Sequence, residues 1–274
     1  MKGATSMIRK MIVLLLFLLS TISLSYAAPP EISADAAIVM DAKSGKVLYE
    51  KNGNKREYPA SMTKMMTCIL ALEKGDPYHM VTISNHAANI ESTALYGGEW
   101  IRLGDLTCQM MLISDNGAAT AIAEAIGGNV NHFADMMNAK AKSIGCADTH
   151  FVNANGMPDE NHYSTAQDMA KIAQYGLKNK KFRDIVSTKA KQIHYERPVK
   201  NLYCENTNEL LYQYPGCIGI KTGYTRAARG CLAAAATRDN QTLIVVVMHS
   251  NDFDTRFAEA AALLDYGFSS ISQK

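Results

Sequence analysis

The 274-residue sequence has no Cys-x-x-Cys pair and no His-x-x-x-His or His-Glu-x-x-His spacing, so its six cysteines and seven histidines compose no recognisable zinc or redox site. No apolar run reaches the roughly 20 residues that cross a bilayer. Past the first ten residues there is no Lys/Arg-rich run, which removes nucleic acid and anionic lipid from the expected partners. Repeats, low-complexity tracts and long linkers are also missing. What is left, at 47% apolar residues, suits one large domain or two closely packed lobes with a sizeable core.

The amino terminus is distinctive. Lys2, Arg9 and Lys10 precede the apolar run Met11 to Leu19, and Ser25-Tyr26-Ala27 supplies small residues at signal-peptidase spacing. This pattern predicts a signal peptide over 1–27, a mature chain from Ala28 and a secreted, extracytoplasmic location. Removing the leader's three basic residues turns the formal charge of +2 into −1. In an exported chain cysteines are free to pair, but Cys68 and Cys108 lie in apolar helical patterns and read as core thiols. Cys204, Cys217 and Cys231 cluster in the sequence and leave one bridge open, since spacing does not set connectivity.

Ala36 to Glu50 reads as a hairpin, and after Pro59 the period switches to a helix from Ser61 to about Glu73. Gly104 to Gly145 reads as three helices broken at Ser114-Asp115-Asn116-Gly117 and Gly127-Gly128, and Thr165 to Leu177 as another. Gly219 to Thr225, Cys231 to Thr237 and Leu243 to His249 read as strands, with a turn at Asp239-Asn240. Thr255 to Tyr266 is expected as a final helix ending at Gly267. The segment 178–209 is mixed and charged. The organisation predicted is a single domain over 28–274, with an α/β lobe from about 28–60 and 196–274 enclosing a mainly helical lobe of about 61–195.

Three motifs carry the chemistry. Ser61-Met62-Thr63-Lys64 and Ser114-Asp115-Asn116 each occur once, and Lys221-Thr222-Gly223 has one rival, Lys43-Ser44-Gly45, in the expected hairpin turn. On a helix, residues i and i+3 share a face, so Lys64 can reach the Ser61 hydroxyl. A serine needs a base to become nucleophilic, and a lysine serves when burial and a neighbouring cation, here Lys221, lower its pKa. The helix start adds backbone N–H donors for an oxyanion. Ser114 can relay a proton and Asn116 can hold a peptide group, although the same four residues also fit an ordinary helix cap and turn. Gly223 offers a strand edge where a peptide can pair, with Lys221 and Thr222 receiving its terminal carboxylate.

With these motifs the chain resembles the low-molecular-mass penicillin-binding proteins, specifically the serine D-alanyl-D-alanine carboxypeptidases of the S11 type, a combination also shared with class A β-lactamases. The likeness extends over about residues 30–270, through Pro59 to Thr67, Thr149 to Asn153 with Asn155-Gly156-Met157, Ser164 to Ala170, Gly219 to Thr225 and Leu263 to Phe268. It implies an α+β fold of the serine β-lactamase/D,D-peptidase kind, an antiparallel sheet flanked by helices plus a mainly helical lobe. It implies Ser61 as nucleophile, Lys64 as general base, Ser114 as relay, and Asn116, Lys221, Thr222 and Gly223 as substrate ligands. The backbone N–H groups of Ser61 and Tyr224 would form the oxyanion hole. Arg256 matches an arginine near the substrate carboxylate in similar enzymes, and equally fits a surface helix cation. The resemblance implies no cofactor and no metal, a peptidoglycan stem peptide as substrate and β-lactams as covalent inhibitors. D,D-endopeptidase action on cross-linked stems, a silent binding protein and a β-lactamase stay open as alternatives, the last weakened because the chain has no Glu-x-x-Leu-Asn. Many S11 enzymes continue into a β-rich domain and a membrane helix, whereas this sequence stops at Lys274, so no stable membrane anchor is expected after signal cleavage.

Overall fold

The computed structural model describes residues 28–272, and the expected signal peptide lies outside the described residues. The chain builds strands β1 Ala36–Asp41, β2 Val47–Lys51, β3 Met80–Thr82, β4 Trp100–Arg102, β5 Ala190–Arg197, β6 Val199–Glu205, β7 Cys217–Thr225, β8 Arg229–Arg238 and β9 Gln241–Ser250. Between and after them run helices α1 Lys64–Lys74, α2 Asn85–Ala88, α3 Leu103–Leu112, α4 Asn116–Gly127, α5 Val130–Ser143, α6 Ala166–Lys178, α7 Lys180–Ser187, α8 Leu210–Gln213 and α9 Thr255–Ser272. One antiparallel sheet has the order β2-β1-β9-β8-β7, and a second, smaller one has the order β3-β4-β5-β6.

The larger sheet is covered on both faces, which explains why β9 reads as an unbroken apolar run from Leu243 to Met248. Period-two alternation sends Ile38, Met40, Ile244 and Val246 into a large core shared with α1, α3, α4 and α6. Their neighbours Val39, Val245 and Val247 face the other way, against Phe257, Leu263, Leu264 and Phe268 of α9. The hairpin joining β8 to β9 turns through Asp239 and Asn240 at φ 47° and 61°, the pair of left-handed residues a two-residue hairpin requires.

One expectation needs correction. The last helix does not stop at Gly267 but continues to Ser272. Glycine is there for packing: a Cβ at 267 would lie 2.8 Å from Leu243 Cδ1 and 2.9 Å from Val39 Cγ1, so its absence lets α9 settle on the sheet. Within 61–195, beside the helices α1 to α7, β3, β4 and most of β5 belong to the second sheet. The charged segment 178–209 supplies α7 and the β5–β6 hairpin of that sheet. All six cysteines are free, so the bridge left open among Cys204, Cys217 and Cys231 is not made.

Candidate active site

The first motif sits where a strained turn meets a buried helix. Ala60 to Thr63 form a 3₁₀ turn, and Ala60 adopts φ 47°, a left-handed conformation that a non-glycine residue keeps only when its surroundings dictate it. Two glycines clasp this turn. A Cβ on Gly156, itself at φ 88°, would fall 1.9 Å from the Ala60 carbonyl oxygen, and one on Gly223 of β7 would lie 3.1 Å from the Ser61 nitrogen. The β7 edge and the 153–157 loop therefore press against the Ser61 backbone from two directions. Ser61 stays partly accessible, while Lys64, one turn further on, is fully buried.

Lys64 Nζ has three oxygen neighbours, each at 2.7 Å: Ser61 Oγ, Asn116 Oδ1 and the Asn155 carbonyl. The amide and carbonyl oxygens can only accept, but the hydroxyl can also donate. A neutral amine, with two N–H groups and a lone pair, satisfies all three if Ser61 points its proton at the lone pair. Burial drives Lys64 toward that form, lowering its pKa to about 7 against the opposing pull of the Asp115 carboxylate. Such a pair can remove the serine proton near neutral pH.

Asn155 carries the third contact. Its carbonyl is aimed by its own side chain, which accepts from Met157 N–H at 2.9 Å and donates to Thr120 Oγ1 at 3.3 Å, while Asn153 Oδ1 accepts from Gly156 N–H at 2.7 Å. Asn155 and Gly156 were quoted above only as part of a resemblance. Their roles are invisible to spacing because one acts through a main-chain carbonyl and the other through the absence of a side chain. A glycine directly after an Asn-x-Asn pair was the available signal.

In the second motif the cap and the contact with Lys64 fall on different residues. Asp115 caps α4 by accepting from Ala118 N–H at 2.8 Å, whereas Asn116 reaches Lys64. Ser114 lies on the loop before them at φ 62°, partly exposed, and its hydroxyl makes no hydrogen bond among the described residues, to Lys64 or to any other.

Across from Lys64, Lys221 is also buried, but Nζ donates only to Thr222, to its carbonyl at 3.0 Å and its hydroxyl at 3.4 Å. Thr222 Oγ1 is 2.7 Å from Thr207 Oγ1. Burial, then the charges of Lys64 and Arg256, push Lys221 well below the usual lysine range. The Lys64 and Lys221 ammonium groups thus oppose one another, like charges in one buried place disfavouring each other.

Arg256 is not a surface cation. It is 1% exposed, its guanidinium lies 3.9 Å from the Phe253 ring centroid and 4.7 Å from that of Phe257, and it donates to the Gly223 carbonyl at 2.7 Å. Its Nε and Nη2 are buried without a hydrogen-bond partner among the described residues, and burial lowers its pKa to about 10. Tyr224, next on the strand, is half exposed and packs edge-on against Phe253.

Elsewhere, a cavity of about 620 Å³ opens at the opposite end of the large sheet, lined by the hairpin turn, Gln174, Lys178 and Asn240. The rival Lys43-Ser44-Gly45 lies in that turn, far from Ser61 along β1, and no residue of the other motifs lines the cavity. Asp35, Glu57 and His249 form the one metal-capable group among the described residues, but the Lys55 ammonium already bridges the two carboxylates at 3.1 and 2.7 Å.

The family profile described as D-alanyl-D-alanine carboxypeptidase, peptidase S11, matches residues 24–252. The chain is 37% identical over 243 residues to D-alanyl-D-alanine carboxypeptidase DacF of Bacillus subtilis, a match covering 86% of this chain and 62% of that one. It therefore spans less than two thirds of that relative's length. It is 34% identical to the D-alanyl-D-alanine carboxypeptidase of Streptomyces sp. strain K15, across 87% of this chain and 88% of that one. The crystal structure of the Streptomyces K15 DD-transpeptidase superposes with a TM-score of 0.84 at 32% identity, covering 89% of this chain and 100% of that one. A D-alanyl-D-alanine endopeptidase of Escherichia coli is 29% identical across 89% of this chain and 80% of its own.

Proposed function

This chain belongs to the S11 D-alanyl-D-alanine carboxypeptidase family of serine peptidases, and from that premise we propose that it is an exported serine D,D-carboxypeptidase acting on peptidoglycan stem peptides. Ser61 attacks the carbonyl between the last two D-alanines while Lys64, neutral, takes its proton. The peptide lies along the β7 edge at Gly223. Its carbonyl oxygen, on becoming an oxyanion, receives the N–H groups of Ser61 and Tyr224. The terminal carboxylate rests on Lys221 and Thr222, where its charge favours the ammonium form of Lys221, with the buried Arg256 adding positive potential from behind the strand. The proton held by Lys64 passes to the departing D-alanine amine by way of Ser114, and water then resolves the acyl-enzyme by the reverse route.

The observation that carries this reading is the 2.7 Å contact between Ser61 Oγ and a buried Lys64 whose other two partners can only accept. A β-lactam, presenting a strained amide and a carboxylate, should acylate the same serine. The leader over 1–27 fits an enzyme working outside the cytoplasm, and no helix among the described residues is long and apolar enough to cross a membrane.

The test is incubation of the mature protein with a fluorescent penicillin and with a stem pentapeptide, read by intact mass and D-alanine release. A single penicillin adduct, absent in Ser61→Ala, and one D-alanine per peptide are expected. No adduct, or equal labelling of Ser61→Ala, rejects the reading. The endopeptidase alternative is favoured by the Escherichia coli relative of that name; it predicts cleavage of cross-linked dimers in preference to monomeric pentapeptide.

A further inference from the structure

Asp115 makes no contact with Ser61 or Lys64, yet its carboxylate is among the most heavily bonded groups near the site. Oδ1 accepts from the Thr93 hydroxyl at 2.7 Å and from Ala118 N–H at 2.8 Å, and Oδ2 accepts from Ala94 N–H and Gln109 Nε2, both at 2.9 Å. Capping α4 accounts for one of these four bonds. The other three reach the 91–95 loop and α3, and Gln109 in turn accepts from the buried Tyr195 hydroxyl at 2.6 Å.

The same loop meets the next two residues. Asn116 N–H donates to the Ser92 carbonyl at 3.2 Å, and Asn116 Nδ2 donates to the Glu91 carbonyl at 2.9 Å. A Cβ on Gly117 would sit 2.3 Å from Thr93 Oγ1, so the loop lies flat on the helix start. Ser92 and Ser114 are both left-handed, at φ 60° and 62°. Strain at such residues persists only where neighbours impose it.

One consequence bears directly on the base. Because Nδ2 of Asn116 is held by Glu91, Oδ1 is the atom turned to Lys64. If the loop moved, the amide could rotate and present N–H groups to Lys64, competing for the lone pair that takes the serine proton.

We infer that Asp115 is a positioning residue, strapping the 91–95 loop onto the second motif and so fixing which atom of Asn116 faces Lys64 and where the Ser114 hydroxyl stands. This inference rests on the acyl-transfer reading of the site. The Asp115 charge also opposes the effect of burial on Lys64; the other charged groups nearby are Lys221 and, beside it, Arg256.

Asp115→Asn tests it. The replacement is isosteric, but all four neighbours are donors, so either amide orientation sets an NH₂ against a backbone N–H. Penicillin acylation should slow by about 10²-fold, the scale of a small misplacement in a reacting constellation. Its acid limb should also move to lower pH, because a negative charge favouring the Lys64 ammonium is gone. Thr93→Val removes one strap bond and keeps the charge; it should slow acylation less and leave the limb in place. It also keeps the question open to measurement if Asp115→Asn folds poorly. Lower melting temperatures in both variants, with acylation per folded molecule and the limb at wild-type values, would make Asp115 a structural cap and overturn the inference. Failure of the wild type to acylate would instead overturn the acyl-transfer reading beneath it.

Discussion

Two buried lysines face one cleft and are treated differently by the fold. Lys64 is surrounded by oxygens from three segments, one of them the Ser61 hydroxyl, so a neutral amine there can use every hydrogen-bonding atom. Lys221 has only the oxygens of Thr222, and behind it Arg256 keeps two buried N–H positions unpartnered among the described residues. Unpaired buried donors are costly and uncommon, and they concentrate where function requires them. On the proposed reading, the difference separates a base complete within the protein from an anion site whose donors exceed their protein acceptors. A catalyst needs both, because a base must be ready before substrate arrives, whereas a recognition cation gains selectivity by being satisfied only by the substrate.

The comparison breaks first at Lys64. Lys64→Gln keeps polarity but cannot accept a proton, and should cut penicillin acylation by about 10² to 10⁴-fold, the range of general-base catalysis. In the wild type, acylation should rise with pH through about 7, where Lys64 becomes neutral; a rate flat from pH 5 to 9 would refute the assignment of the base. Lys221→Gln should act on a different quantity. With one charge-assisted bond to the carboxylate lost, the specificity constant for carboxylate-bearing ligands should fall by about 10 to 150-fold. An amidated analogue should lose far less. Equal losses on both ligands would erase the distinction between the two lysines.

A third buried base sharpens it. His162 accepts from Val152 N–H at 3.2 Å through Nδ1 and so carries its proton on Nε2, which donates to Thr63 Oγ1 at 2.8 Å, beside the nucleophile turn. Burial lowers its pKa to about 4. Between pH 6.5 and 4 the unfolded chain binds a proton that the folded one refuses, so stability falls as pH drops through that window. The loss reaches about 3 kcal/mol at its end. Urea unfolding of wild type and His162→Gln across this range should show the slope in the former and a flatter line in the latter. The smallest effect is expected at Gly267. Alanine there favours the helix by about 1 kcal/mol but must push Leu243 and Val39 aside, so a net loss of about 1 kcal/mol should appear as a lower melting temperature. Because α9 also carries Arg256, any shift in penicillin affinity in that variant would mean the anion site depends on how closely the helix lies.

Much of this was legible beforehand, for definite reasons. Serine and lysine three apart on an apolar helical pattern can only share a face, and β8 and β9 announce themselves through continuous apolar runs. Strands of three residues such as Met80–Thr82 and Trp100–Arg102 are too short to display a period, so the second sheet was hidden. Gly267 was misread because a glycine that ends a helix and one that lets a helix approach a sheet look alike in one dimension. Burial of Arg256 depends on Phe253 and Phe257 closing over it, a tertiary fact that helix position does not disclose.

The sheet order has a consequence for biogenesis. β1 pairs with β2 and with β9, and β9 is not complete until Ser250. A lone two-stranded hairpin is marginal in water. While the polypeptide is still emerging from the ribosome, its first strands have nothing durable to join, and the central seam closes only when the last fifth of the chain is available. Such wiring defers collapse of the nascent chain until β9 has emerged, a delay that would suit the export proposed above.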